Sequence, residues 1–160
     1  GETQEEMFVV TYSTKKLEGQ GDLVIAKDKR EFLHFGLAGE ETSSSFLNTA
    51  TGVPGSIGVG YVMMRQGSIT GISTNLQVVS ESADGDEIEI IIYKNDEIIR
   101  FGNTIDASST GIKKDYDIQS KGVVTFEPGD VITVYASVDG AITYKNVITM
   151  VEITTVEWSG

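Results

Sequence analysis

Apolar and polar residues alternate with a period of two along most of this chain. Glu87–Tyr93 sets Ile88, Ile90 and Ile92 on one face. Val131–Val138 sets Ile132, Val134, Ala136 and Val138 on one face, with Thr133, Tyr135 and Ser137 on the other. That period marks a strand with one side turned to a core. It predicts further strands over Leu23–Ala26, Glu31–Leu37, Val59–Arg65, Ser68–Ser80, Glu97–Phe101, Ile118–Phe126 and Ile142–Thr155. On Ser68–Ser80 the core side carries Ile72, Leu76 and Val78. Turn chemistry falls between them, at Thr51–Ser56, Gln66-Gly67, Ser82–Asp86, Asn95-Asp96, Glu127-Pro128-Gly129-Asp130 and Asp139-Gly140. Glu40–Thr51 reads as a long loop or a bent edge strand, and Asn103–Thr110 as a polar segment. No stretch holds a 3.6-residue period over three turns, and no internal repeat shows. Eight to ten strands with turns between them make an all-β, antiparallel sandwich or barrel.

The N-terminal 22 residues differ from the rest. Met7-Phe8-Val9-Val10-Thr11-Tyr12 is one extended apolar segment between polar flanks. It predicts a short arm with a single strand, residues 1–22, ahead of a body at 23–160. The strand either pairs with a partner's sheet edge or is the ordinary first strand of the domain, since an isolated strand must pair with something.

Composition sharpens this picture. Valine, isoleucine and threonine account for 49 of 160 residues, against 6 leucines and 7 alanines, a balance that favours strands over helices. There is no cysteine, which excludes thiolate metal sites, iron–sulfur clusters and cysteine nucleophiles. The formal net charge of −12 argues against nucleic acid as the partner. No apolar run reaches the about 18 residues that span a bilayer, and GETQEEMFVV lacks the basic and apolar regions of a signal peptide.

Catalytic motifs are missing. Gly67-Ser-Ile-Thr-Gly71 carries serine in the wrong place for a nucleophile elbow. The one histidine, His34, sits in the alternating Phe32-Leu-His-Phe and reads as a strand-face residue. Gly58-Val-Gly60 lacks the third glycine of a dinucleotide fingerprint. Asp84-Gly85-Asp86-Glu87 offers oxygens of the kind calcium takes, but its spacing is not an EF-hand loop, and Asp-Gly is what a hairpin uses for its own backbone. Asp115, Asp117, Asp130 and Asp139 read as turn residues in the same way. The expectation is a non-enzymatic protein with no metal and no cofactor.

Three local patterns carry a resemblance. They are Phe32-Leu-His-Phe-Gly36 followed by a Ser/Thr tract and Phe46-Leu47; Gly60-Tyr-Val-Met-Met-Arg-Gln-Gly-Ser-Ile-Thr-Gly-Ile-Ser73; and Phe126-Glu-Pro-Gly-Asp-Val-Ile-Thr-Val134. The hairpin with Lys94-Asn95-Asp96 fits as well. Taken in order, from about Glu31 to Glu152, they resemble the jelly-roll domains of tailed-phage virion proteins, which are similar to the tumour-necrosis-factor and complement globular-head fold. The resemblance implies a jelly-roll sandwich that assembles as a homotrimer on the capsid exterior. There it would serve as a decoration or cement protein, or a head fibre, with the major capsid protein or another virion protein as partner. It implies subunit contacts through Tyr61, Arg65, Tyr135 and Tyr144. The arm residues Met7, Phe8, Val9, Val10 and Tyr12 would anchor to the shell, with neither nucleic acid nor membrane involved. A receptor- or glycan-binding module of a fibre or tail tip is the alternative, and a cellular trimeric adhesion or ligand domain a further one.

Overall fold

A computed structural model describes residues 10–13, 24–81 and 87–159, and these form an all-β protein. Twelve strands run in the order β1 (Val10–Ser13), β2 (Val24–Glu41), β3 (Ser45–Phe46), β4 (Asn48–Thr49), β5 (Tyr61–Val62), β6 (Gly67–Ser80), β7 (Glu87–Lys94), β8 (Glu97–Asp106), β9 (Gly111–Ile118), β10 (Thr125–Phe126), β11 (Val131–Val138) and β12 (Thr143–Ser159). Every pairing is antiparallel. A seven-stranded sheet has the order β1-β2-β12-β6-β10, with β4 beside β2 and β9 beside β6. A five-stranded sheet has the order β3-β11-β7-β8, with β5 beside β11.

The core lies between the sheets, where the alternation puts it. Ile88, Ile90, Ile92, Ile132, Val134 and Ala136 face inward from the smaller sheet, and Phe35, Leu37, Ile72, Leu76, Val78, Val147 and Val151 from the larger. All are buried, and a contiguous apolar interior of this kind is the main stabilising term for a domain without disulfides.

Several elements depart from the sequence reading. Leu23 lies outside the described residues; Val24–Ala26 and Glu31–Leu37 belong to one strand, because Lys27–Arg30 pair with β12 on one side and β1 begins on the other. Val59–Arg65 keeps only Tyr61–Val62 as strand; Glycine 60 approaches β11 so closely that a Cβ there would stand 2.2 Å from the Ile132 carbonyl oxygen. Of the expected strand Ile118–Phe126 only the ends are strand, Ile118 closing β9 and Thr125–Phe126 forming β10, while most of β9 lies earlier; Asn103–Asp106 extends β8. Val10–Ser13 pairs with Lys27–Val24 of the same chain, which makes it an edge strand of the body's own sheet. Met7, Phe8 and Val9 lie outside the described residues.

Among the described residues one buried side-chain polar atom has no hydrogen-bond partner, the Thr133 hydroxyl on the outer side of β11. The chain passes over it at Gly55, where an added Cβ would stand 2.6 Å from that oxygen. Replacing Thr133 with valine is expected to leave stability unchanged or raise it by about 1 kcal/mol, since an unmade bond is removed with its donor. Urea denaturation measures this. A loss above about 1 kcal/mol would mean the hydroxyl has a partner after all.

Candidate docking face

The outer face of the seven-stranded sheet is built by the residues that alternate with the core. On β2 these are Phe32 and His34, on β12 Ile148, Met150, Glu152 and Thr154, and on β9 Ile112, Tyr116 and Ile118. The register aligns them across strands. His34, Met150, Ser73 and Tyr116 share one row; Phe32, Glu152, Gly71 and Ile118 the next; Gly36, Ile148, Asn75 and Lys114 a third. Tyr116 is 75% exposed, Ile118 72%, Ile148 61% and Phe32 50%. An antiparallel sheet with one face in water normally turns polar residues to that side. Here five of the twelve positions are large apolar residues, interleaved with His34, Ser73, Glu152, Asn75 and Lys114, and exposed apolar residues grouped in this way suit contact with another surface.

Gly71 opens a depression in this face. A Cβ there would stand 3.1 Å from that of Glu152, and the hollow is lined by Phe32, Tyr116, Ile118, Met150 and Glu152. Beside it lies a polar cleft. The Thr70 hydroxyl donates to Glu152 Oε1 at 2.7 Å and pairs with the Thr154 hydroxyl at 2.8 Å. Lys121 closes the cleft with an ion pair to Asp28 at 2.7 Å, and Arg30 lines it. The cleft holds carboxylates, hydroxyls and cations side by side.

Other acids accept hydrogen bonds from neighbouring amides. Asp130 accepts from the Glu127 amide at 2.8 Å and from the Asn95 side chain at 3.0 Å, and these bonds hold its carboxyl below the usual range. Asp115 accepts the Thr104 amide, and Asp117 the Asn103 side chain. His34 is exposed on β2. Among the described residues no three His, Asp or Glu side chains converge on a possible metal position. Asp84, Gly85 and Asp86 lie outside the described residues.

The four residues expected at a subunit contact are not brought together. Tyr144 is fully buried; its hydroxyl donates to the Ser43 carbonyl at 2.8 Å, and burial pushes its pKa up to about 12. It cannot present a face to another subunit. Tyr61 is half-buried, its ring edge-on to Phe35 at 5.2 Å. Its hydroxyl donates to the His34 carbonyl and accepts the Ala50 amide, both at 2.9 Å, which pins the loop before β5 onto β2. Tyr135 lies on the other sheet, 4.7 Å from the Phe46 ring, with Tyr93 beside them. Arg65 is exposed in the turn after β5. The residues that do form a shared face, Phe32, Tyr116, Ile118, Ile148 and Met150, carried a usable signal: Tyr116 and Ile118 alternate with Asp115 and Asp117.

Comparison with models of known protein families finds none that matches this chain, and comparison with curated proteins finds no relative.

Proposed function

We propose that this protein is a non-enzymatic structural subunit that associates with copies of itself through the outer face of its seven-stranded sheet, as a trimer decorating and cementing a phage capsid. The carrying observation is the apolar face. The twelve positions of its three rows include one acid, Glu152, and one base, Lys114, so it is charge-balanced on a chain whose net charge is −12. Copies that repel each other elsewhere meet most favourably through a neutral apolar surface. The strand order adds support. β2-β12-β6-β9 and β3-β11-β7-β8 form two four-strand layers, with the first and last long strands, β2 and β12, as neighbours, an arrangement compatible with a jelly roll. The number of subunits and the virion setting follow the resemblance noted above. A subunit of this kind stabilises a shell by binding the assembled state alone.

Sedimentation velocity tests the association. The wild-type chain is expected to sediment as a trimer at micromolar concentration, and Tyr116→Asp with Ile118→Asp as a folded monomer. A wild-type monomer overturns the reading. Mass spectrometry of purified particles tests the setting: the chain is expected in multiples of three per shell facet, and its absence from particles removes the virion role.

A further inference from the structure

The outer face of the larger sheet differs at its two ends. The row of Glu152 and Gly71 lies at one end, the row of Ile148 and Lys114 at the other, and the row of Met150 and Tyr116 between them. The one acid of these twelve positions therefore sits in one end row and the one base in the other. Along β12, four residues separate Ile148 from Glu152, about 13 Å at the rise of an extended chain.

The charges at both ends lack an ionic partner. Among the described residues the ion pair is Lys121 with Asp28, so neither Glu152 nor Lys114 is neutralised within its own subunit. Arg30 lines the cleft beside Glu152 without pairing to it. Glu152 is half-buried, and its Oε1 takes the Thr70 hydroxyl at 2.7 Å. That bond fixes the carboxylate and leaves its second oxygen to accept from a cation. Lys114 is exposed. The ends differ in relief as well. The acid end has the hollow over Gly71, whereas in the basic row Ile148 stands 61% exposed.

In a ring of identical copies each subunit meets its two neighbours through two different patches, so the patches complement each other and not themselves. A hollow beside an acid, and a projecting aliphatic side chain in the row of a base, are such a pair. We propose that the Gly71 end of each face receives the Lys114 end of the next copy, with Ile148 seated in the hollow and Lys114 paired to Glu152. This rests on the self-association proposed above and adds its direction: copies join head to tail around a closed ring. On a chain of net charge −12, an opposite-charge contact selects that register over others.

The cysteine-free chain permits a direct test. Positions 114 and 152 lie two strands and four residues apart, too far for a disulfide within one subunit, which needs Cα atoms within about 7 Å. Oxidised Lys114→Cys/Glu152→Cys is expected to give covalent trimers, seen without reductant. Covalent dimers that go no further would overturn the ring in favour of a two-fold contact, and unreacted thiols would overturn the pairing. In a second test, Lys114→Glu is expected to weaken association about tenfold, and Lys114→Glu/Glu152→Lys to restore it. Ile148→Ala, a truncation on the surface of the subunit, is expected to weaken it about tenfold too. An unchanged association constant for either single variant would overturn the contact it removes. Wild-type sedimentation separates the two readings. If the wild type associates but does not answer to these variants, the pairing alone fails; a monomeric wild type removes the face with it.

Discussion

Alanine at position 102 is expected to lower the stability of this protein by about 3 kcal/mol or more, a fall in Tm of about 10 °C for a domain of this size. Glycine 102 follows a bulge in β8, where the register slips between Ile91 and Ile92 and the two strands draw together. A Cβ there would stand 2.1 Å from the Ile90 carbonyl oxygen and 3.3 Å from its carbon. Both are backbone atoms of the β7–β8 ladder, so neither can rotate aside as a side chain would. Relief requires breaking ladder hydrogen bonds over the central isoleucines of the smaller sheet. Gly52→Ala is the control. That residue has φ +87° with nothing near the added carbon, so only backbone strain applies, about 1 kcal/mol. Urea denaturation of the two variants ranks them, and a Gly102→Ala cost near that of Gly52→Ala would refute the close approach.

Removing the Asn103 amide is the second large effect. Asn103 is buried on β8. Its Oδ1 accepts from the Thr74 hydroxyl at 2.8 Å, and its Nδ2 donates to the Ile72 carbonyl and to Asp117, each at 3.3 Å. Thr74 also meets the Thr149 hydroxyl at 2.9 Å. The side chain thus bridges the smaller sheet to β6 and β9 of the larger. Asn103→Ala leaves buried hydroxyl and carbonyl groups short of a partner, at about 1–3 kcal/mol for each group, and a cavity besides. A total of about 3 kcal/mol is expected by thermal or urea denaturation. Making Thr74 and Thr149 valine and Asn103 leucine together is expected to recover part of the loss, because the hydroxyl demand leaves with the two threonines while the Ile72 carbonyl still lacks the Asn103 donor. A single-alanine cost below about 1 kcal/mol would show that the bridge contributes little.

These positions also mark where the sequence could and could not be read. Ile88, Ile90 and Ile92, or Ile132, Val134 and Ala136, announce a buried strand face because their alternation is unbroken. Tyr144 reads wrongly for a local reason. Asn146 adopts φ 55° and the pairing with β2 slips between Lys145 and Val147, so the inward parity changes and the tyrosine turns into the core. β9 escapes notice because its apolar residues, Ile112, Tyr116 and Ile118, face solvent and its half-buried ones are Lys113 and Asp115. A pattern reader assigns the apolar side to the core, whereas here it belongs to the outside. The polar tract Lys27–Arg30 reads as a break for a similar reason, since pairing on its flank, and not burial, keeps it extended.

The central place of β12 in the larger sheet also governs the order of assembly. Its partners pair across great distances along the chain, with Leu37 opposite Val147 and Ile25 opposite Ser159. Contacts so remote in sequence close large loops and form slowly. The β7–β8 hairpin turns over Asn95-Asp96 and can form from neighbouring residues alone. During synthesis β2 and β6 leave the ribosome long before the strand that lies between them. Until that strand is made, the two hold open edges around an empty central position, and the face they share does not yet exist. If copies associate through this face as proposed, that step waits until β12 of each subunit is in place.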